Sequence, residues 1–138
     1  MKSNPDCLFC KIVAKQIPAQ TIYEDDHVLA FLDIHPRTTG HTMVIPKYHA
    51  PRIIELPNEE VGPLFLAVKH TAELLNDKLQ CDGATIGMNQ GRASGQEVDH
   101  LHVHVMPRWH NDKGGSIQSV VNNPPKESVD EIRKKLLG

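Results

Sequence analysis

The chain has only three cysteines in 138 residues, Cys7, Cys10 and the isolated Cys81. That is too few for a disulfide framework, and it points to a reducing, cytoplasmic setting. No apolar run approaches the length of a membrane span. The first residues, Met1-Lys2-Ser3-Asn4-Pro5-Asp6, lack the apolar core of a signal peptide. There is no excess of positive charge. The formal net charge is −2, which argues against a general affinity for nucleic acid. Internal repeats and low-complexity tracts are also missing. What remains is ordinary for a globular protein, with 39% hydrophobic and 23% charged residues. By size, residues 1–138 are expected to form one domain, with about 111–138 as a C-terminal extension.

Against this plain background, His100-Leu101-His102-Val103-His104 stands out. Histidines alternate with apolar residues, and the alternation continues through Val105. This is the pattern of a half-buried strand, so the three imidazoles should emerge on one face and Leu101, Val103 and Val105 on the other. Alternate residues of a strand lie about 6.6 Å apart, so one metal could not readily take all three. A division of labour follows. Imidazole can act near neutral pH as base, acid, nucleophile or ligand. The bland alternative is a solvated or metal-scavenging strand face.

The rest of the chain supplies a frame. Cys7 to Val13 reads as a short helical segment. Thr21–Tyr23, Val28–Leu32, His41–Ile45 and Ala84–Met88 read as strands. Val61, Leu64, Phe65, Val68, Ala72, Leu75 and Leu79 form a helical stripe, with Asn58 as a candidate N-cap, Pro63 suggesting a later start, and Gly83 as the end. Ser128 and Glu131 form a capping box for a short last helix. The fold class expected is α+β: an antiparallel five-stranded sheet with one long helix packed on it and a short C-terminal helix. The histidine face would look away from the long helix, toward solvent, a ligand or another subunit.

Three further groups of residues carry chemistry. Cys7 and Cys10 have the spacing of zinc ligands, and His49 and His100 are candidates to complete a closed structural site. The alternative is two buried cysteines without metal. The loop Asn89-Gln90-Gly91-Arg92-Ala93-Ser94-Gly95-Gln96 precedes the histidine strand; its glycines let backbone approach phosphate, and Asn89 and Gln96 could add donors. Phe31 and Ile34 are strand-end core residues or walls of a base pocket, and Asp33 caps a loop or holds a ribose hydroxyl. His41 could orient another imidazole or simply pack. His27, His35, His70 and His110 are most simply surface or loop residues, and Cys81 is structural.

The stretch His100 to Met106 resembles the signature of the histidine triad family. So do Ile22-Tyr23-Glu24-Asp25, Phe31-Leu32-Asp33-Ile34, Gly40 through His49, and Asn89 through Gln96. The branch most resembled is the Hint-like group with an N-terminal CxxC. The resemblance implies a homodimer whose sheets join across a two-fold axis. It also implies cleavage at the α-phosphate of nucleoside phosphoramidates or dinucleoside polyphosphates, through a nucleotidyl-histidine intermediate that releases a nucleoside monophosphate. The substrate would be a purine nucleotide such as an AMP conjugate. His102 would be the nucleophile, and His104 would hold phosphate oxygens. Asn89, Gly95 and Gln96 would line the phosphate site, and Phe31, Asp33 and Ile34 would surround base and ribose. Zinc would be structural, on Cys7, Cys10, His49 and His100, with no catalytic metal, nucleic acid or membrane involved. Departures from narrow Hint proteins are Glu97, where serine is usual near the leaving group, and Arg108-Trp109 after the triad. The competing classes are a non-catalytic nucleotide-binding or adaptor protein with a structural zinc, and a metal-dependent hydrolase using the triad as ligands.

Overall fold

Alternation along the strands decides how the chain folds. The computed structural model describes residues 1–138. Strands β1 (Thr21–Glu24), β2 (Val28–Leu32), β3 (Thr42–Pro46), β4 (Gly83–Gly87) and β5 (Val103–Arg108) form one antiparallel sheet in the order β1-β2-β3-β5-β4. Helix α1 (Leu8–Val13) covers one face and α2 (Asn58–Leu79) the other; α3 (Val129–Leu137) closes the chain. In β2, Val28 and Ala30 face α2, while Leu29 and Phe31 face α1. In β3, Val44 joins the α2 layer, and Met43 and Ile45 join the α1 layer. These central strands are therefore buried on both sides, which is why they read as continuous apolar runs.

The helical stripe was legible, with local differences. Leu64, Val68 and Leu75 are buried against the sheet, as the spacing requires, together with Ala67 and Thr71. Phe65 lies at the margin and stays exposed. Pro57, not Asn58, takes the N-cap position, and Asn58 is the first helical residue. Pro63 sits inside the helix and does not delay its start; so near the N-terminus, its missing N–H removes one bond from the ladder. Glu60 lies in the first turn, at the positive end of the helix dipole, and its carboxylate pairs with His27 at 3.0 Å. The helix ends at Gln80, which is left-handed (φ 51°) and donates to the Asn76 carbonyl. Gly83 instead opens β4.

The histidine segment keeps its two faces. Leu101, Val103 and Val105 are fully buried in the α2 layer. The regular ladder starts only at Val103, and His100 to His102 lead into it. The histidine face is not open as expected. Phe9 of α1 packs edge-on to both His100 and His102, with centroids 5.9 and 5.3 Å away. Both imidazoles are buried.

At the C-terminus, Ser128 Oγ accepts from the Glu131 N–H at 3.1 Å, so the capping pair forms. No residue of α3 is buried. No helix is long and apolar enough to cross a membrane.

One glycine ties the layers to the histidines. Gly40 has φ +83°, and a Cβ there would meet Leu79 Cδ1 at 2.5 Å. Both the left-handed backbone and the close approach of α2 require glycine just before His41. Gly40→Ala should destabilise the protein by about 1–3 kcal/mol, read from urea unfolding midpoints.

Candidate functional site

The site is a row of imidazoles on the α1 side of β5, each with its protons set by a neighbour. At one end lie Cys7 and Cys10, brought in by the first turn of α1. Cys7 is its N-cap, with Sγ accepting from the Cys10 N–H at 3.4 Å. His49 follows the end of β3, and its N–H donates to the Lys2 carbonyl at 2.8 Å, pinning the N-terminal segment. His100 completes the group. Cys7 Sγ and Cys10 Sγ lie 3.4 and 3.6 Å from His100 Nδ1; Cys10 Sγ lies 3.3 Å from His49 Nδ1, and the two Nδ1 atoms are 3.2 Å apart.

A tetrahedral zinc with its usual bond lengths to nitrogen and sulfur needs N···N and N···S edges of about 3.3–3.6 Å, which these distances match. Protonation fits too. His100 Nε2–H donates to the Pro46 carbonyl at 2.8 Å, leaving a lone pair on Nδ1. Burial pushes His100 down to about 4 and lowers His49, and burial beside Cys10 raises the Cys7 thiol. Two neutral imidazoles and two sulfurs thus converge on one point, where a bound cation would replace the thiol protons that burial otherwise favours. Cys7, Cys10, His49 and His100 are brought to one point, as their spacing suggested, and can hold a zinc ion.

Two residues on, His102 Nδ1–H donates to the His100 carbonyl at 2.7 Å. Its proton is fixed on Nδ1, and Nε2 keeps a free lone pair. His104 is set the opposite way. The Arg37 backbone N–H donates to His41 Nδ1 at 3.1 Å, so His41 carries its proton on Nε2. That proton is donated to His104 Nδ1 at 2.8 Å. His104 must therefore carry its own proton on Nε2. Asp33 Oδ2 lies 3.6 Å from His41 Nε2 and favours the same arrangement. Burial, then the neighbouring His102 and His41, push His104 down to about 4, and burial lowers His41. Both are neutral at pH 7. The result is a lone pair on His102 beside an N–H donor on His104, ring centroids 5.1 Å apart.

The remaining residues divide. Asp33 does both things expected of an acid there: Oδ1 caps the loop by accepting from the His35 N–H at 2.9 Å, and Oδ2 faces His41. Phe31 is a core residue, edge-on to Phe9 at 5.6 Å, whereas Ile34 is 80% exposed beyond the strand end. Asn89 lines a cavity together with His104, and its side-chain amide makes no hydrogen bond within the chain. The glycine loop closes on itself more than an anion cradle would. The N–H groups of Ser94, Gly95 and Gln96 bond the carbonyls of Gly91 and Arg92. Gly91 and Gly95 supply the positive φ values the turn needs. Gln96 is a buried brace: Oε1 accepts from the Gly91 N–H, and Nε2 donates to the Pro51 and Val98 carbonyls. Its side chain has no spare N–H for a ligand.

Of the four histidines read as surface or loop residues, His35 and His110 are exposed. His27 and His70 are exposed too; His27 pairs with Glu60, and the His70 ring lies tilted against Tyr23 with centroids 4.6 Å apart. Sequence reasoning missed Arg37 and Phe9. Arg37 orients His41 through a backbone N–H, which leaves no mark on residue type. Phe9 did leave one, an aromatic ring between two cysteines.

This fold and this row of histidines define a histidine triad protein. The HIT domain family model matches residues 14–111, and the chain belongs to that family. It is 46% identical over 136 residues to an uncharacterized HIT-like protein of Methanocaldococcus jannaschii, covering 96% of this chain and 99% of the relative. Among solved structures, it is similar to a zinc-bound histidine triad family protein from Mycobacterium smegmatis: 36% identity, TM-score 0.74, 93% of this chain and 88% of that one. It is also similar to a hypothetical histidine triad nucleotide-binding protein from Sulfolobus tokodaii: 34% identity, TM-score 0.73, 94% and 86% covered.

The neutral imidazoles make stability depend on pH. Above about 6.5, folded and unfolded states are equally unprotonated at His104 and His41. As pH falls from there toward about 4, the unfolded chain takes up protons that folded His104 refuses, and stability is lost. Urea midpoints should drop over this range, and less steeply in His104→Asn, which keeps an acceptor for His41.

Proposed function

We propose that the protein is a nucleotide hydrolase or transferase acting at an α-phosphate, with His102 as nucleophile. The observation that carries this reading is the opposed protonation of His102 and His104. A nucleophile needs a free lone pair, and the phosphate oxygens need a fixed donor beside it. The hydrogen bond from Nδ1 to the His100 carbonyl supplies the first, and the relay through His41 supplies the second.

The steps balance without a strong base. His102 Nε2 attacks the α-phosphorus, an N–P bond forms, and the bond to the leaving group breaks with its electron pair passing to that group, which departs as a phosphate anion or, from a phosphoramidate, as an amine that has taken a proton from water. Positive charge developing on the imidazole is met by the His100 carbonyl. His104 Nε2–H and the Asn89 amide donate to phosphate oxygens, with Gly95 and Gln96 shaping the loop behind Asn89. Water then attacks phosphorus and gives up a proton to solvent, the N–P electrons return to Nε2, and a nucleoside monophosphate leaves. Asp33 and Ile34, with Phe31 beneath them, form the nucleoside side, suited to a purine such as adenosine. A nucleotide fits the family and the description of the Sulfolobus tokodaii neighbour.

Zinc on Cys7, Cys10, His49 and His100 would be structural. All four ligand positions are taken by protein, as in closed sites. The ion would fasten the N-terminal segment to β3 and hold His100, whose carbonyl orients His102. The resemblance of the Mycobacterium smegmatis protein supports zinc here. The homodimer fits β4, an edge strand without charged residues that could join a second copy's sheet.

His102→Ala should abolish turnover of adenosine 5′-phosphoramidate or a dinucleoside polyphosphate, a loss of about 10⁴-fold or more, while nucleotide still binds. Quenched wild-type reactions should show a nucleotidyl adduct on His102 by mass spectrometry; full activity in the variant contradicts the reading, as does a binder that forms no adduct. Elemental analysis should find one zinc per chain, lost in Cys10→Ser together with a fall in melting temperature.

A further inference from the structure

Beyond His104 the outer face of β5 continues through Met106 to Arg108 and borders a cavity of about 480 Å³. One wall is β4, whose Gly87 pairs with His104 and Thr85 with Met106; the roof is the segment around Ser116 and Ile117. Asn89 and His104, the two side chains proposed to hold phosphate oxygens, both line this cavity, and Arg37 of the β2–β3 loop lines it with them. The loop is held in place there. Thr38 Oγ1 donates to the Pro107 carbonyl at 3.0 Å, which ties the loop to β5, and the Arg37 N–H donates to His41 Nδ1 at 3.1 Å, which ties it to the proton relay.

No side chain placed at the phosphate so far is charged. His104 and His41 are neutral at pH 7, and Asn89 carries an amide. The glycine loop adds little, because the N–H groups of Gly91, Ser94, Gly95 and Gln96 are all taken within the chain. An α-phosphate is nevertheless an anion, and protein groups must replace the water it gives up on binding. Two cations line the cavity, Arg37 and Arg108. Arg108 is fully engaged. It donates Nε and one terminal nitrogen to the Asp112 carboxylate at 2.6 and 3.0 Å, and its other terminal nitrogen to Thr85 Oγ1 and the Gly115 carbonyl at 3.0 and 2.7 Å. This pair cancels its own charge and fastens the roof. Arg37 is exposed, and its guanidinium has no hydrogen-bond or ion-pair partner in the chain. Its charge is felt at the relay: burial lowers His41, Asp33 opposes this, and Arg37 adds to the lowering.

We propose that Arg37 is the charged donor of the phosphate site, binding the α-phosphate beside His104 and Asn89. The inference rests on the reading that those two side chains hold that phosphate. A guanidinium presents a planar fork of N–H groups that two phosphate oxygens can share. Its charge draws the anion in. As the bond from His102 to phosphorus forms and the electron pair of the breaking bond leaves with the departing group, the same charge still faces the non-bridging oxygens. Arg37 then serves the site twice. Its backbone N–H sets the tautomer of His41, and so turns an N–H of His104 outward; its side chain binds the oxygens that this N–H meets. Substitution separates the two roles, because a new side chain keeps the backbone N–H.

The test compares AMP, which carries the α-phosphate and no leaving group, with adenosine, which lacks both. Dissociation constants near pH 7 are measured by calorimetry for the wild-type full chain, Arg37→Gln and Arg37→Lys. The wild type should bind AMP more tightly than adenosine. Arg37→Gln should lose about tenfold in AMP affinity and keep its adenosine affinity, and Arg37→Lys should recover part of the loss. Nitrogen-15 NMR of Arg37→Gln should still find the His104 proton on Nε2, which a disturbed relay would not give. An AMP affinity in Arg37→Gln within about twofold of wild type overturns the assignment and leaves the nucleotide reading standing. An equal fall for AMP and adenosine, or a fall that comes with a displaced His104 proton, overturns it as well. If the wild type binds neither ligand, the nucleotide reading itself fails and the assignment falls with it.

Discussion

The hydrogen bond from His102 Nδ1 to the His100 carbonyl, 2.7 Å long, is the constraint on which the rest of the site depends. It spans only two residues, so it needs the backbone at His100 to be held still. That is what His100 accomplishes: fully buried, its ring sits between the Pro46 carbonyl on one nitrogen and the cysteine–histidine cluster on the other. The cluster is therefore more than a staple for the N-terminus. It holds the carbonyl that fixes the tautomer of His102, and Phe9 lies against both rings.

The sheet makes this arrangement affordable in structural terms by separating two kinds of burial. One face of β5 gives Leu101, Val103 and Val105 to an apolar layer under α2. The opposite face is polar, and nearly every buried donor and acceptor on it has a named partner. A buried imidazole without partners would be costly; here the proton relay from the Arg37 N–H through His41 to His104 satisfies the donors and acceptors in turn. Gly40 belongs to the same design, since its left-handed backbone lets the chain pass α2 and deliver His41 to the relay.

Much of this was legible in the sequence. Period-two alternation gave the strands and the two faces of the triad, and the helical stripe gave α2, because both follow from side-chain direction alone. Cysteine spacing pointed to a group able to bind metal, and the structure assembles Cys7, Cys10, His49 and His100 from three distant segments. What the sequence hid was carried by backbone groups or by depth. The His100 carbonyl and the Arg37 N–H act without side-chain signatures. Gln96 has the residue type of a phosphate donor, yet its amide is turned inward on Pro51 and Val98. The histidine face read as open because α1, only six residues long, gave little hint that it would lie across it. The cavity beyond His104 depends on the Arg108–Asp112 pair folding the following segment back, an event no local pattern announced.

The central claim is that neighbours dictate where each imidazole keeps its proton. Nitrogen-15 NMR of the histidine rings near pH 7 measures this directly. The account predicts that His102 carries its proton on Nδ1, while His41 and His104 carry theirs on Nε2. A neutral His102 protonated on Nε2 instead of Nδ1 would contradict it.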